Sequence, residues 1–356
     1  MGKLSGVRVV DLSLFLPGPM LTGMMADQGA SVIKVEPPAG DPARAMGPFE
    51  AGHGVWFRNL NRGKTSVALD LKTEAGKAAL WDLLGDADVM VEGFRPGVIG
   101  RLGFGAEAVR ARFPRLVYCS ISAFGQTGPM ADHPAHDLGV QAEAGLLALN
   151  DGADGVPVVP GVPSADMAAG LTGLAAVLMA LFDRTRTGEG ATIDCSMLGS
   201  LAPWSAHVVG EAIRGGPGPV SARQRSLGGA AFYNVYGCAD GGHVVLCGRE
   251  PKFVEALLTA LGRPDLVEAA CGEAGPGQDV VKAFLAETFA AQPRAFWEGW
   301  FAGRDVAFAP VRSLGEGLTH AGLIVADADG AHHIRPAISF AGEDWVPAPA
   351  PPLAGC

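Results

Sequence analysis

The sequence predicts an α/β protein: a Rossmann-like large domain on a mostly parallel sheet, joined to a smaller α+β domain. Three observations carry this. Short β-branched runs alternate with helix-like segments through the first 125 residues, the pattern of a parallel sheet with right-handed crossovers. The chain has 356 residues, which exceeds one small domain and suffices for a sizeable core. Past residue 200 the alternation gives way to a hairpin followed by helices.

The elements follow in order. "VRVVDLS" (7–13) is a buried strand. "PGPMLTGMMADQGA" is a helix, with Pro17 and Pro19 near its start and Gly29 at its end. "SVIKVEPP" (31–38) is a second strand closed by prolines, and "TSVALDL" (65–71) a third. Residues 73–87 form a helix, "DVMVEGF" (88–94) a fourth strand and "RLVYCSISAFG" (115–125) a fifth. No GxGxxG follows the first strand, so a dinucleotide site is not indicated.

Residues 166–187 read as a long apolar helix, with an apolar run too short for a membrane span. "GEGATIDCSMLGSLAPWSAHVVGEAIRG" gives a strand and a further helix, and 215–229 a loop. "AAFYNVYGCADGGHVVLCG" (230–248) is a hairpin turning at "ADGG". Helices are expected at about 251–262 and 279–303, and a last strand at 306–311. The domains then run 1–199 and 200–310, with 311–356 returning to the large one as an extended tail.

A net charge of −10 argues against nucleic acid as a partner, although a local cluster of Arg and Lys can still hold an anion. The six cysteines (119, 195, 238, 247, 271 and 356) show no CxxC spacing. Reduced thiols, no metal, no membrane association and a cytoplasmic location are expected.

The chemistry centres on "PAHDLGVQAEAGLLALN" (134–150), where His136 and Asp137 precede a small-residue stretch, and on Asp166 in "GVPSADMAAG". Asp166 precedes an apolar helix and could be an N-cap. Glu250, in "GREPKF", could equally be a helix-start residue. An acid and a base facing one carbon can instead exchange its proton from opposite sides. A carboxylate at a helix start can also attack an acyl group, with neighbouring backbone N–H groups holding the oxyanion.

"LPGPMLTGMMADQGASVIKVEPPAGDPAR", "LNRGKTSVALDLK", "VEGFRPGVIGRLGFG" and "SISAFGQTGP" resemble stretches of the family III CoA-transferase (CaiB/BaiF) family. "FYNVYGCADGGHV" and "GREPKF" extend the likeness into the second half. The resemblance implies one of two chemistries. Transferases move CoA between carboxylates through an acyl-aspartate, here on Asp166. The α-methylacyl-CoA racemases add a His–Glu pair, here His136 and Glu250, and exchange the α-proton of a 2-methylacyl-CoA through an enolate.

The racemase is the preferred reading, with the enolate oxygen held by backbone N–H groups near Asp166. The sequence departs from the racemase pattern in Ala135, where Gly is expected before the His, and in "SADMAAGLTG", which lacks the glycine-rich element. "SLGG" at 226–229 is a candidate remnant of a transferase loop. A non-catalytic CoA-binding protein is a third reading. The resemblance also implies an interlocked homodimer with its active site at the subunit interface, and no cofactor beyond the substrate's CoA. Arg44, Arg62, Lys64, Arg95 and Arg101 would meet that CoA, where ordinary surface charge is the plain alternative. Met20, Met24, Met25 and Met167 could floor an apolar acyl site or simply fill the core.

Overall fold

β-branched residues in short runs, cut by Pro and Gly, leave little room for anything but brief strands. The computed structural model describes residues 2–152, 154–342 and 345–354. Six strands form one parallel sheet: β1 (Arg8–Asp11), β2 (Ser31–Glu36), β3 (Thr65–Ala68), β4 (Val89–Glu92), β5 (Val117–Ser122) and β6 (Thr192–Ser196). Their order is β3-β2-β1-β4-β5-β6, that of a doubly wound dinucleotide-type sheet. Val9 pairs with Val32 on one side and Val89 on the other.

Successive side chains enter opposite cores. Val9, Val89, Val91, Val117 and Cys119 join one apolar cluster, whereas Val10, Met90 and Tyr118 join the other. Helix α1 (Pro17–Asp27) covers the first face through Leu21 and Met25. Helix α2 (Glu74–Gly85) covers the second through Leu80 and Leu84. Thr73 caps α2, its hydroxyl accepting the Gly76 N–H at 3.1 Å.

Beyond β5 come the short helix α3 (Asp137–Glu143) and the long helix α4 (Ser164–Thr187). By length and composition α4 could cross a membrane. One face of it packs into the core. Ala165, Ala168, Ala169, Gly170, Gly173, Leu174 and Val177 are buried, and the small residues let α1 lie close. A Cβ on Gly170 would stand 3.0 Å from the Pro17 carbonyl oxygen, and one on Gly173 2.8 Å from the Leu21 side chain.

The chain divides into two compact units. The first comprises 1–146, 160–204 and 321–356; the second comprises 147–159 and 205–320. The excursion at 147–159 has no strong sequence signal, and the return begins at 321 rather than 311. The second unit holds an antiparallel sheet of β7 (Tyr233–Gly237), β8 (His243–Cys247) and β9 (Phe308–Pro310). Its own core contains Phe232, Tyr236, Leu257, Phe289, Trp297 and Phe301.

Two helix expectations need correction. The helix expected at 279–303 is two, α5 (Asp279–Ala290) and α6 (Arg294–Phe301), because Pro293 cannot continue the ladder. After β6 the α-helix is only Met197–Leu201; short 3-10 turns follow where Pro203, Gly210 and Gly215–Gly216 interrupt. The tail adds a two-stranded hairpin, Ile324–Ala326 with His332–Ile334. The described cysteines are all unpaired, and Cys356 lies outside the described residues.

Candidate active site

In a doubly wound sheet, ligands bind outside the carboxyl ends of the strands where the chain order reverses. That point lies between β1 and β4. A cavity of about 560 Å³ opens there. The segment after β1 (Ser13, Leu14, Phe15, Pro17, Gly18) lines it, as does the segment after β4 (Gly93 to Pro96). His133, His136, Gly139, Asp166 and Met197 also line it, with the end of β5 at Ile121 and Ser122. His136 and Asp166, thirty positions apart in sequence, thus face one space.

What joins them is Asp137. Its Oδ1 accepts the N–H of Ala165 at 2.7 Å and of Asp166 at 3.1 Å. Its Oδ2 accepts from Gln141 Nε2 at 2.6 Å. The residue beside His136 therefore caps the helix that carries Asp166. The Ala165 and Asp166 N–H groups are taken by Asp137, and the Met167 N–H by the Pro163 carbonyl. They are not free to hold an oxyanion.

Asp166 lies at the third position of α4, where the positive helix end favours an anion. Burial works the other way, and the Asp137 charge adds to it; together they raise the carboxyl to about 7. His136 stands at the N-cap position of α3 and opens to the cavity. The Phe15 ring meets its imidazole edge-on, with centroids 6.4 Å apart. Phe15 itself adopts φ +61°, a region that few side chains other than Asn and Asp enter.

The loop bearing Phe15 is tied from below. Asp11 Oδ1 accepts the Ser13 N–H at 2.9 Å and also the Ser13 hydroxyl. Its Oδ2 takes Thr22 Oγ1 and Lys64 Nζ, the latter at 3.0 Å. Lys34 Nζ donates to the Ser13 carbonyl and pairs with Asp41, each at 2.9 Å. Burial alone would raise the Asp11 carboxyl; Lys64, Lys34 and the two hydroxyls outweigh it and hold it at about 2. Burial brings Lys64 down to about 8 against the opposing Asp11 charge. Gly18 packs so close to Ser13 that a Cβ would collide with its side chain. Residue type alone marks neither Asp11 nor Lys34 as part of a site: Asp11 is a polar residue at the end of β1, and Lys34 one within β2.

On the β4 side, Glu92 is fully buried, accepting the Ser120 hydroxyl and the Phe94 N–H. Burial pushes its carboxyl up against these two bonds. A narrower apolar groove of about 190 Å³ adjoins the large cavity, and Leu14 and Phe94 line both.

The five basic residues fall into two sets. Arg44 forks onto Glu36 with two bonds of 2.7 Å and lies over the Phe57 ring. Arg62 forks onto Asp27 at 2.9 and 2.6 Å. Lys64 is buried in the Asp11 network. All three charges are thus paired within the chain. Arg95 is exposed and lines the cavity, and Arg101 is exposed on the short helix Val98–Arg101.

Glu250 belongs to the second unit, where it precedes the helix Pro251–Ala260 and is exposed; it does not line the cavity. "SLGG" also belongs to that unit, as a turn whose Gly228 carbonyl accepts from Asn234. Met20, Met24 and Met167 line a separate apolar cavity of about 350 Å³, while Met25 fills the core. Among the described residues no cluster of three His, Cys, Asp or Glu is arranged to hold a metal ion.

Comparison with known proteins gives a consistent result. The model of a family described as CoA-transferase family III matches residues 4–355. An acetyl-CoA:oxalate CoA-transferase of Acetobacter aceti is 36% identical over 321 residues, covering 88% of this chain and 82% of that protein. The α-methylacyl-CoA racemase of Homo sapiens is 34% identical over 328 residues, covering 89% and 80%. Among solved structures, a CaiB/BaiF family protein of Brucella suis superposes with a TM-score of 0.84 at 29% identity, covering 99% of this chain and 96% of that one.

Proposed function

The chain belongs to CoA-transferase family III, and from that premise we propose that it racemises a 2-methylacyl-CoA thioester by 1,1-proton transfer. The observation that carries this reading is the shared cavity: His136 and Asp166 both line it. An acid held at about 7 exists in both protonation states at neutral pH, so Asp166 can either take or return a proton. His136 acts from the other side. Removing the α-proton gives an enolate, and reprotonation on the opposite face inverts the centre. The walls offered by Leu14, Phe15, Phe94, Ile121 and Met197 suit an apolar acyl chain. The adjoining groove shares Leu14 and Phe94 with the cavity, so a long thioester can occupy both. Arg95 and Arg101 are the cations whose positions favour the CoA phosphates. In this reading Glu250 of the partner subunit, in an interlocked dimer, fixes the His136 imidazole.

A second reading, CoA transfer between carboxylic acids through an acyl-Asp166 anhydride, is favoured by the relatives named for that reaction and by "SADMAAG" in place of a glycine-rich element. One experiment separates the two. Incubation with (R)-2-methylacyl-CoA in D2O, without any acceptor acid, is expected to give α-deuterated product and loss of chirality by mass spectrometry and chiral analysis. No deuterium uptake, together with hydroxylamine trapping of Asp166 once an acceptor acid is supplied, would replace the racemase by the transferase.

A further inference from the structure

We propose that Asp137 is the positioning residue of this site: its carboxylate clamps the first turn of α4 to the segment bearing His136 and, by like-charge repulsion, disfavours the anionic form of Asp166.

The geometry has two parts. The first is mechanical. Oδ1 takes two backbone N–H groups of α4, at 2.7 and 3.1 Å, one of them from Asp166 itself. Because Asp137 adjoins His136, the two reactive side chains share one short hydrogen-bonded link across twenty-eight residues of intervening chain. Gln141, one turn along α3, fixes the second oxygen at 2.6 Å. The carboxylate therefore has a partner on each oxygen and little freedom to turn away.

The second part is electrostatic. A helix start ordinarily lowers the pKa of a nearby acid. Here the N–H groups that would do so are already occupied by a full negative charge. Asp166 thus meets a carboxylate where it would otherwise meet free donors. Its raised carboxyl agrees, with burial the larger cause and Asp137 the second.

Arg95, His133 and His136 face the same cavity from neighbouring segments. On α1, Asp27 lies at the far end and is held by Arg62. On β6, Asp194 accepts the Gln126 N–H. Asp183, Arg184 and Arg186 sit near the other end of α4, about 25–30 Å away at ~1.5 Å per residue. On α3, Glu143 is exposed.

The proposal rests on Asp166 being the reactive acid, but it holds for proton transfer and acyl transfer alike. The test is a titration of the free protein by carbon NMR with aspartate labelled at Cγ, the Asp166 signal being assigned with Asp166→Asn. Asp137→Asn keeps an acceptor oxygen for the helix but removes the charge. The Asp166 midpoint is expected to fall by about one pH unit or more, the scale of a close like-charge interaction. The limb of the kcat/KM profile set by Asp166 should fall with it. Asp137→Ser, which keeps only a hydroxyl cap, gives the same reading should the amide variant fold poorly. An unchanged midpoint in a folded variant would overturn the proposal and leave Asp137 a plain cap. The titration needs no substrate, so absence of both proton exchange and acyl transfer in the parent protein would count against the proposed function and not against this link.

Discussion

Asp166 is held where its two protonation states carry different weights in the folded and unfolded chains. In an unfolded chain an aspartate ionises near 4; here burial, then Asp137, brings it to about 7. Between those pH values the folded protein keeps a proton that the unfolded chain has released. The stability this gives is complete below about pH 4 and is lost as pH rises through about 7. Asp166→Asn should therefore raise stability at pH 8 by on the order of 2 kcal/mol and leave it nearly unchanged at pH 4. Urea denaturation at the two pH values reads this directly. The same variant should lose turnover, so a gain in stability would accompany a loss of function. His136 and Asp166 were legible as site candidates because an acid and a base carry their chemistry in their residue type, whereas Arg95 was named only through the family resemblance. Asp137 was visible only as a neighbour of His136, since a cap across 28 residues leaves no local spacing to read. Arg44, Arg62 and Lys64 look identical in sequence to ligand-binding cations; only their carboxylate partners, folded in from elsewhere, set them apart.

At the scale of elements, the five early strands and the two helices expected among them lay where hydrophobic period and Pro or Gly punctuation put them, whereas the short helices Val55–Asn61, Val98–Arg101 and Ala106–Arg112 were not foreseen. Those signals are local, and so the sequence carries them. The 147–159 excursion and the tail hairpin escaped notice because their segments are short and mixed in composition, with no clear hydrophobic period. Helix α4 shows how an element can serve both roles. Its small residues permit contact with α1, whose first turn belongs to the loop lining the cavity. Gly170→Val should press a side chain against the Pro17 carbonyl, already 3.0 Å from a modest Cβ. The expected loss is about 1–3 kcal/mol of stability, read as a lower urea midpoint at unchanged slope. A lowered kcat/KM should accompany it if the strain reaches Pro17; a midpoint equal to the parent's would show that the two helices separate freely.

At the scale of the whole molecule, Asp166 and Glu250 belong to different compact units. The proposed racemase needs them at one site, and an interlocked dimer would bring them there across subunits. Inactive Asp166→Ala and inactive Glu250→Ala proteins, mixed in equal amounts under conditions that exchange subunits at random, should then recover about a quarter of the parent activity, since roughly half of the dimers are mixed and each has one intact site of two. One site of each mixed dimer would carry both lesions and the other neither. No recovery, with exchange verified by mass spectrometry, would confine Glu250 to starting its helix.

Ribosomes make this chain from the N-terminus, so the parallel sheet is finished long before the segment that closes around it. Strand β6 ends at Ser196, and the returning segment begins at Ala321. At ~5–20 residues per second that gap is roughly 6–25 s of synthesis. During it Arg58 waits for the His332 carbonyl, the Gly63 N–H for that of Pro349, and Arg44 for that of Pro351. These bonds span hundreds of residues, and such late closures slow folding. A chain cut before His332 would therefore finish its sheet with these three donors lacking their late carbonyl acceptors.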